Sequence, residues 1–313
     1  MTNDFLYIDK IDFQEAWEKY TLLKEIWPSK THEQKNSKKI DHILDLSDDF
    51  DIFIFDGYGV LNNGVGVIRG MPEVIRKLSE QKKSVYVLTN GASFDVWHSI
   101  KKYDDFGYSF SPKQVISSRD VMVDYLTDKS NQVKKWGVIA TNGSEVEKLA
   151  DTQVIAIQDQ PELVDDVDGV IILATQQWTV KKNNVVLKSL KECPRPVLIA
   201  NSDVCAPFKG WFSTEPSYYA YYIWQETGII PTFFGKPFHV TYEYLKRKLE
   251  ADSIEFDPKR ALMVGDTPQT DILGANNVGM SSLLMTKHGL FAEESYDNYV
   301  KECGIYPDYI WSM

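Results

Sequence analysis

Four segments of the sequence carry polar residues of the types that phosphoryl and metal chemistry use, and each comes at or just after an apolar run. They are Asp56 after "IFIF", Thr89-Asn90-Gly91 after "VYVL", Lys236 in "TFFGKPF", and Asp266 to Asp271 in "MVGDTPQTD". Each segment alone also fits a turn or a helix cap. The chemistry therefore has to be judged on the four together.

Together, the four segments supply what a carboxylate needs in order to attack a phosphoryl group. The two anions repel each other, and a metal ion, a lysine and hydrogen-bond donors relieve that repulsion. Asp56 and Asp266 offer the oxygen ligands that Mg²⁺ prefers. Lys236 would neutralise charge, and Thr89 would donate its hydroxyl group.

Backbone N–H groups complete the predicted phosphate site. Glycine at positions 57 and 91 lets the backbone approach a phosphate closely. With their neighbours in the two loops they form the predicted phosphate-binding set, which is Gly57, Tyr58, Asn90 and Gly91.

The elements that position these residues alternate between strand and helix from Phe50 onward. This alternation predicts parallel strands joined by crossover helices, with ligands outside the carboxyl ends of the strands. Predicted strands are "DIFIF", "SVYVLT", "WGVIA", "GVIILA", "PVLIA" and "RALMVG". The expected fold class is therefore α/β with a parallel sheet.

The segment before Phe50 has a different pattern. Aromatic residues recur at helical spacing after Asp12, which is a predicted N-cap with Glu15 three positions later. They are Phe13, Trp17, Tyr20 and Trp27. We expect residues 1–47 to form a helical extension that packs on the core, and a docking face for a partner is the alternative.

Composition limits the possible partners. The 313 residues include 45 acidic and 34 basic ones, a net charge of -11, which argues against nonspecific binding to nucleic acid or to an anionic membrane. The apolar runs fall far short of the roughly 20 residues that cross a bilayer. Three separated cysteines do not predict a disulfide framework. We expect a cytoplasmic protein.

The segments "FDGYGVL", "LTNGAS", "GKP" and "VGDTPQTDILGA" resemble, in this order, the four motifs of haloacid dehalogenase superfamily hydrolases. The long gap between the second and third resembles the C2-type cap of subclass IIA, which includes the p-nitrophenyl and pyridoxal phosphatases. The resemblance implies a Rossmann-like parallel-sheet core with an inserted α/β cap. The expected domains are the extension 1–47, the core 48–111 with 232–313, and the cap 112–231.

The resemblance also implies roles for residues. Asp56 matches the nucleophile that forms an aspartyl-phosphate, Thr89 the hydroxyl that orients the phosphoryl group, and Lys236 the charge-neutralising lysine. The implied Mg²⁺ ligands are Asp56, the backbone carbonyl of Tyr58, and Asp266, with Asp271 behind them. Asn201 and Asp203, in a segment similar to the substrate loop of the cap, are candidates for substrate contacts.

Tyr58 departs from the family pattern. The phosphatases have a second aspartate there, which protonates the leaving alcohol and then activates water. Tyrosine has an ordinary pKa of about 10, against about 4 for aspartate, and is a poor base at neutral pH. The loss of such help costs about 10²- to 10⁴-fold in rate.

Three functions follow from this pattern. The first is a Mg²⁺-dependent phosphohydrolase of a small phosphorylated metabolite, slowed by Tyr58. The second is an impaired family member that binds a phosphorylated ligand or a protein. The third is a metal-independent dehalogenase-like hydrolase, because Tyr58 resembles those enzymes; Asp266 and Asp271 argue against it.

The aromatic block at 210–228, "GWFSTEPSYYAYYIWQETG", has two interpretations. Tyrosines at helical spacing are typical of core packing. The alternative is a subunit interface, where Tyr and Trp are enriched, and this would give a homodimer formed through the cap.

Overall fold

The computed structural model describes residues 9–31, 36–129, 133–149, 151, 153–208 and 210–313. The chain divides into two compact units. The insertion unit contains the described residues within 9–26, 90–95 and 117–235, and the core unit contains those within 27–89, 96–116 and 236–313.

The strands and helices of the described residues alternate along most of the chain, as the sequence predicts. The strands are β1 (Lys10–Ile11), β2 (Lys38–Ile40), β3 (Ile52–Phe55), β4 (Ser84–Thr89), β5 (Val115–Ser117), β6 (Lys135–Ile139), β7 (Gln153–Ala156), β8 (Gly169–Ile172), β9 (Val197–Ile199), β10 (Cys205–Phe208), β11 (Trp211–Thr214), β12 (Thr232–Phe233), β13 (Ala261–Gly265), β14 (Ser281–Met285) and β15 (Tyr309–Trp311). The α-helices are α1 (Phe13–Leu23), α2 (Met71–Glu80), α3 (Val96–Asp105), α4 (Ser118–Lys129), α5 (Val180–Glu192), α6 (Pro216–Thr227), α7 (His239–Ala251), α8 (Leu273–Asn277) and α9 (Tyr296–Cys303). A π-helical turn spans Pro268–Ile272.

The core unit is built on a sheet with the order β2-β15-β14-β13-β3-β4-β5. The strands from β2 to β4 pair in parallel. All residues of β3 and β13 are buried, as is typical of parallel strands covered on both faces. In β3, Phe53 and Phe55 pack into one hydrophobic cluster while Ile52 and Ile54 pack into another, as the two-residue period of a strand requires.

The insertion unit has two sheets. A parallel sheet has the order β12-β9-β8-β6-β7, and a small antiparallel sheet has the order β1-β11-β10. Tyr218 and Tyr219 of α6 are buried, so the core-packing interpretation of the aromatic block is confirmed for these two residues. The predicted α/β fold with a parallel-sheet core is confirmed.

The N-terminal segment is helical only in part. Helix α1 begins as predicted, because the Asp12 side chain accepts a hydrogen bond from the Glu15 N–H at 2.9 Å. It ends at Leu23, so the prediction that Trp27 extends the aromatic stripe is wrong. Pro28 disfavours a helical conformation at the residue before it, and Trp27 instead meets the Phe238 ring edge-on within the core unit.

Two expectations from composition can be compared with the structure. Cys193, Cys205 and Cys303 are free thiols, which agrees with the prediction that no disulfide framework exists. Among the helices that the structure describes, none combines the length and the apolar character needed to span a bilayer.

Candidate active site

Two neighbouring strands of the core sheet bring the first carboxylates together. Strands β3 and β13 pair in parallel with Phe55 opposite Val264, and the Asp56 N–H donates to the Val264 carbonyl at 2.9 Å. Asp56 and Asp266 each follow the end of their strand. Oxygen atoms of Asp56, Asp266 and Asp271 all lie within 4.8 Å of one another.

Lys236 lies between two of these carboxylates. Its ammonium group is 2.7 Å from Asp56 Oδ1 and 2.6 Å from Asp271 Oδ1. The side chains of Lys236 and Asp271 are each 1% exposed, whereas that of Asp56 is 13% exposed. Asp56 is thus the member of this triad that a ligand can approach from solvent.

The π-helical turn positions Asp271 beneath the end of β13. Asp271 Oδ2 accepts hydrogen bonds from the N–H groups of Asp266 and Thr267, both at 3.1 Å. A Cβ atom on Gly265 would lie 2.1 Å from the Asp271 Cβ, so the side chain fits only against glycine. Asp271 therefore holds the loop that carries Asp266 and also pairs with Lys236.

The Asp266 carboxylate is held by two hydrogen bonds and by close contact with two glycines. Its Oδ2 accepts the Leu290 N–H at 2.8 Å and its Oδ1 accepts the Thr267 hydroxyl at 3.1 Å. A Cβ on Gly289 would lie 1.8 Å from Asp266 Oδ2, and one on Gly59 would lie 2.4 Å away. No role was predicted for Gly59, Gly289 or Leu290, since nothing local in the sequence indicates that these residues surround Asp266.

The donor set fits Mg²⁺. Three carboxylates that offer hard oxygen ligands lie within reach of one ion, and the one positive charge of Lys236, which pairs with two of them, does not balance all three. The glycines beside Asp266 let backbone and carboxylate approach closely there. Asp56, Asp266 and Asp271 are the residues that could hold the ion.

Thr89 ends β4, which pairs with β3, and its side chain lies beside Gly57. A Cβ on Gly57 would lie 3.3 Å from Thr89 Oγ1 and 2.6 Å from the hydroxyl oxygen of Tyr103, a residue of α3. Three predicted residues, Asp56, Gly57 and Thr89, are thus neighbours. Tyr103 was not predicted, because its place beside Gly57 depends on how α3 packs.

The Tyr58 side chain packs against its own loop. A Cβ on Gly64 would lie 2.7 Å from both Cε2 and Oη of Tyr58, so the ring covers the Gly64 backbone, which has φ of +84°. Tyr58 and Asn62 also form a β-bridge. The loop therefore accommodates the ring only because residue 64 lacks a side chain.

The predicted residues Asn90, Gly91, Asn201 and Asp203 belong to the insertion unit. The Asn90 amide donates to Asp203 Oδ1 at 2.8 Å and to Ser202 Oγ at 3.0 Å. The Asp203 N–H donates to Asn201 Oδ1 at 2.8 Å. These bonds join Asn90, Asn201 and Asp203 into one polar network.

Glu215 extends this network and was not predicted. It precedes α6, accepts the Asn201 amide at 3.2 Å and accepts the Ser213 hydroxyl at 3.0 Å. Burial raises the pKa of the Glu215 carboxyl to about 7, and the bond from Ser213 opposes this only in part. The sequence signal was weak, because an acid just before a helix is also an ordinary capping residue.

Two protein-family descriptions match separate parts of this chain. The family described as haloacid dehalogenase-like hydrolase matches residues 53–153, and a second described as HAD-hydrolase-like matches residues 233–310. The chain belongs to the haloacid dehalogenase superfamily of hydrolases. The two matches contain Asp56 and Thr89 in the first and Lys236, Asp266 and Asp271 in the second.

Similar proteins of this superfamily carry phosphatase names. A 4-nitrophenylphosphatase of Schizosaccharomyces pombe is 25% identical over 278 residues, which are 84% of this chain and 91% of that protein. A possible sugar phosphatase from Cytophaga hutchinsonii has a TM-score of 0.76 at 22% identity and covers 88% of this chain and 98% of its own.

A p-nitrophenyl phosphatase from Archaeoglobus fulgidus is a further structural neighbour. Its TM-score is 0.68 at 18% identity, with coverage of 84% of this chain and 95% of its own. At such identities the two structural similarities establish the fold. The family matches and the yeast relative identify the chain as a hydrolase of this superfamily.

Proposed function

We propose that this hydrolase is a Mg²⁺-dependent phosphatase of a small phosphorylated metabolite, with Asp56 as the nucleophile. The observation that carries the proposal is the position of Lys236, within 2.7 Å of Asp56 and 2.6 Å of Asp271. A buried ammonium beside a partly open carboxylate provides the charge balance that attack of one anion on another requires.

The reaction would proceed in two displacements at phosphorus. An Asp56 oxygen forms a bond to phosphorus while the ester P–O bond breaks, and the leaving oxygen takes a proton from solvent to become an alcohol. The oxygen of a water molecule then bonds to phosphorus and loses a proton to solvent, while the bond between phosphorus and the Asp56 oxygen breaks and inorganic phosphate leaves. Lys236 and Thr89 would hold the phosphoryl oxygens, and a bound Mg²⁺ would offset their negative charge.

Tyr58 would restrict the substrates. Aspartate at this position would protonate the leaving oxygen, and a phenol packed on the backbone of Gly64 is poorly suited to replace it. Aryl and acyl phosphates need less protonation of the leaving group, so they should react faster than alkyl phosphates. Hydrolysis of the aspartyl-phosphate should be the slow step.

Phosphate release from aryl, acyl and alkyl phosphates, with and without Mg²⁺, tests the proposal. We expect release that needs both Mg²⁺ and Asp56 and falls from aryl to alkyl substrates. The Asp56→Asn variant should show only background hydrolysis, because an amide is not a nucleophile towards phosphorus. Release that persists in Asp56→Asn, or that is indifferent to Mg²⁺, would contradict the mechanism.

Tyr58 also favours a second candidate, a family member that binds a phosphorylated ligand without turning it over. In that case, mass spectra of the intact protein after mixing with an aryl phosphate should show no phosphate adduct on Asp56, and the substrate panel should yield no phosphate. Our first proposal predicts such an adduct, since formation of the intermediate is less impaired than its hydrolysis.

A further inference from the structure

Tyr103 carries a buried hydroxyl group that has no hydrogen-bond partner in the part of the chain that the structure describes. The residue lies on α3 and is 1% exposed. A buried donor left unpaired carries the cost of its lost hydration. The core unit therefore tolerates a cost at this position that phenylalanine would avoid.

The hydroxyl lies at the proposed phosphate site. A Cβ atom on Gly57 would lie 2.6 Å from the hydroxyl oxygen of Tyr103 and 3.3 Å from Thr89 Oγ1. The Tyr103 hydroxyl therefore lies against the Gly57 backbone. The two hydroxyl groups thus lie beside the residue that follows the nucleophile. Glycine at 57 is what makes room for Tyr103.

The surroundings of the ring fix its direction. Tyr108 and Phe110 meet it edge-on, at centroid distances of 6.0 and 5.4 Å. The Lys102 ammonium lies 4.9 Å from the ring centroid. Aromatic packing therefore holds the phenol ring in place, and a positive charge lies over its face.

The phenol remains a donor at neutral pH. Burial raises the pKa of Tyr103 above its ordinary value, and the negative charge of Asp56 raises it further. A phenol that keeps its proton can donate to an anionic oxygen, and bonds to charged groups are the stronger kind.

We propose that Tyr103 is an additional phosphate-binding residue whose hydroxyl donates to an oxygen of the phosphoryl group at Asp56, beside Thr89. This inference rests on the proposed function of Asp56. It explains why the hydroxyl is buried and unpaired in the free protein, since the bound anion supplies the missing acceptor.

Tyr242 provides a matched control. This residue of α7 is also buried, and its hydroxyl also has no partner among the described residues. It contacts the backbone of Gly274 rather than that of Gly57. Tyr242→Phe removes the same atom from a similar buried environment near the same charged cluster, but beside Gly274 and not beside Gly57.

The test compares Tyr103→Phe with Tyr242→Phe and wild type by calorimetric titration with inorganic phosphate in the presence of Mg²⁺, and by phosphate release from an aryl phosphate. We expect Tyr103→Phe to weaken phosphate binding about 10- to 100-fold, the effect of one hydrogen bond to a charged group. It should lower kcat/KM by a similar factor. Tyr242→Phe should match wild type in both.

Thermal stability separates this role from a structural one. Because the hydroxyl is unpaired without ligand, Tyr103→Phe should unfold at or above the wild-type temperature. Wild-type binding and turnover in Tyr103→Phe, equal losses in Tyr242→Phe, or no phosphate binding by wild type would overturn the inference. Phosphate binding that depends on Tyr103, in a protein that releases no phosphate from any substrate, would support it and contradict only the proposed hydrolysis.

Discussion

The two units each bury a cluster of acidic and amide side chains, and they balance the charge differently. In the core unit, Asp56 and Asp271 share the ammonium group of Lys236. In the insertion unit, Glu215 accepts hydrogen bonds from two neutral groups, Asn201 and Ser213. Burial raises the pKa of Glu215 to about 7, where the partners are neutral donors, whereas the carboxylates of the core unit lie beside a cation.

Removal of the cation should have the largest effect. In Lys236→Met, two buried carboxylates lose their shared positive charge, and breaking a buried ion pair in this way costs about 3–5 kcal/mol. We expect that loss in the free energy of unfolding, measured by urea titration, together with loss of phosphate release.

An exposed lysine serves as the control for this variant. Lys246 is 3.7 Å from Glu250, and both side chains are more than half exposed. Lys246→Met should change the free energy of unfolding by no more than about 0.5 kcal/mol. Similar destabilisation in the two lysine variants would show that burial of Lys236 has no special role.

Addition of a carboxyl group to the core cluster should have the next largest effect. Tyr58→Asp restores a general acid and base, which typically contributes about 10²- to 10⁴-fold in rate. We expect turnover of alkyl phosphates to rise by about 10²-fold or more, and turnover of aryl phosphates to rise less. Steady-state kinetics on one substrate of each kind measure the difference.

Tyr58→Phe is the matched control, because it keeps a ring against Gly64 and removes only the hydroxyl. It should leave the ratio of alkyl to aryl turnover unchanged. If Tyr58→Asp folds and its alkyl turnover equals that of wild type, position 58 does not limit the rate.

The sequence could predict which strand ends carry chemistry, because apolar runs followed by polar residues indicate where parallel strands stop. Asp56 and Asp266 follow two such runs, β3 and β13, and the pairing of those strands makes them neighbours. Local rules also predicted the N-cap at Asp12. Each of these predictions depends on residues close together in the chain.

The remaining parts of the site depend on packing between distant segments. Gly289 and Leu290 surround Asp266 because β14 lies beside β13, which no local pattern specifies. Tyr103 reaches Gly57 only through the placement of α3. The prediction for Trp27 was wrong for another reason, because the periodic aromatic pattern continues beyond Leu23, where the helix ends.

The smallest expected effect concerns the insertion unit. The native state holds the Glu215 proton up to a pKa of about 7, whereas an unfolded glutamic acid loses it near its ordinary value of 4.5. Between these values the native state binds more protons, so the free energy of unfolding should fall as pH rises from 4.5 to 7 and then level off. Glu215→Gln removes this fall and should stabilise the protein at pH 8, relative to wild type, by about 1–3 kcal/mol.

Urea titrations at pH 5 and pH 8 measure this change. Glu226→Gln is the control, since Glu226 lies on α6 with an exposed side chain that pairs with Lys191. That variant should keep the pH dependence of wild type, whereas Glu215→Gln should flatten it. If Glu215→Gln and wild type lose stability equally between the two pH values, Glu215 is ionised in the native state. The neutral partners Asn201 and Ser213 would then be sufficient to stabilise a buried negative charge, and the contrast with the Lys236 cluster would fail.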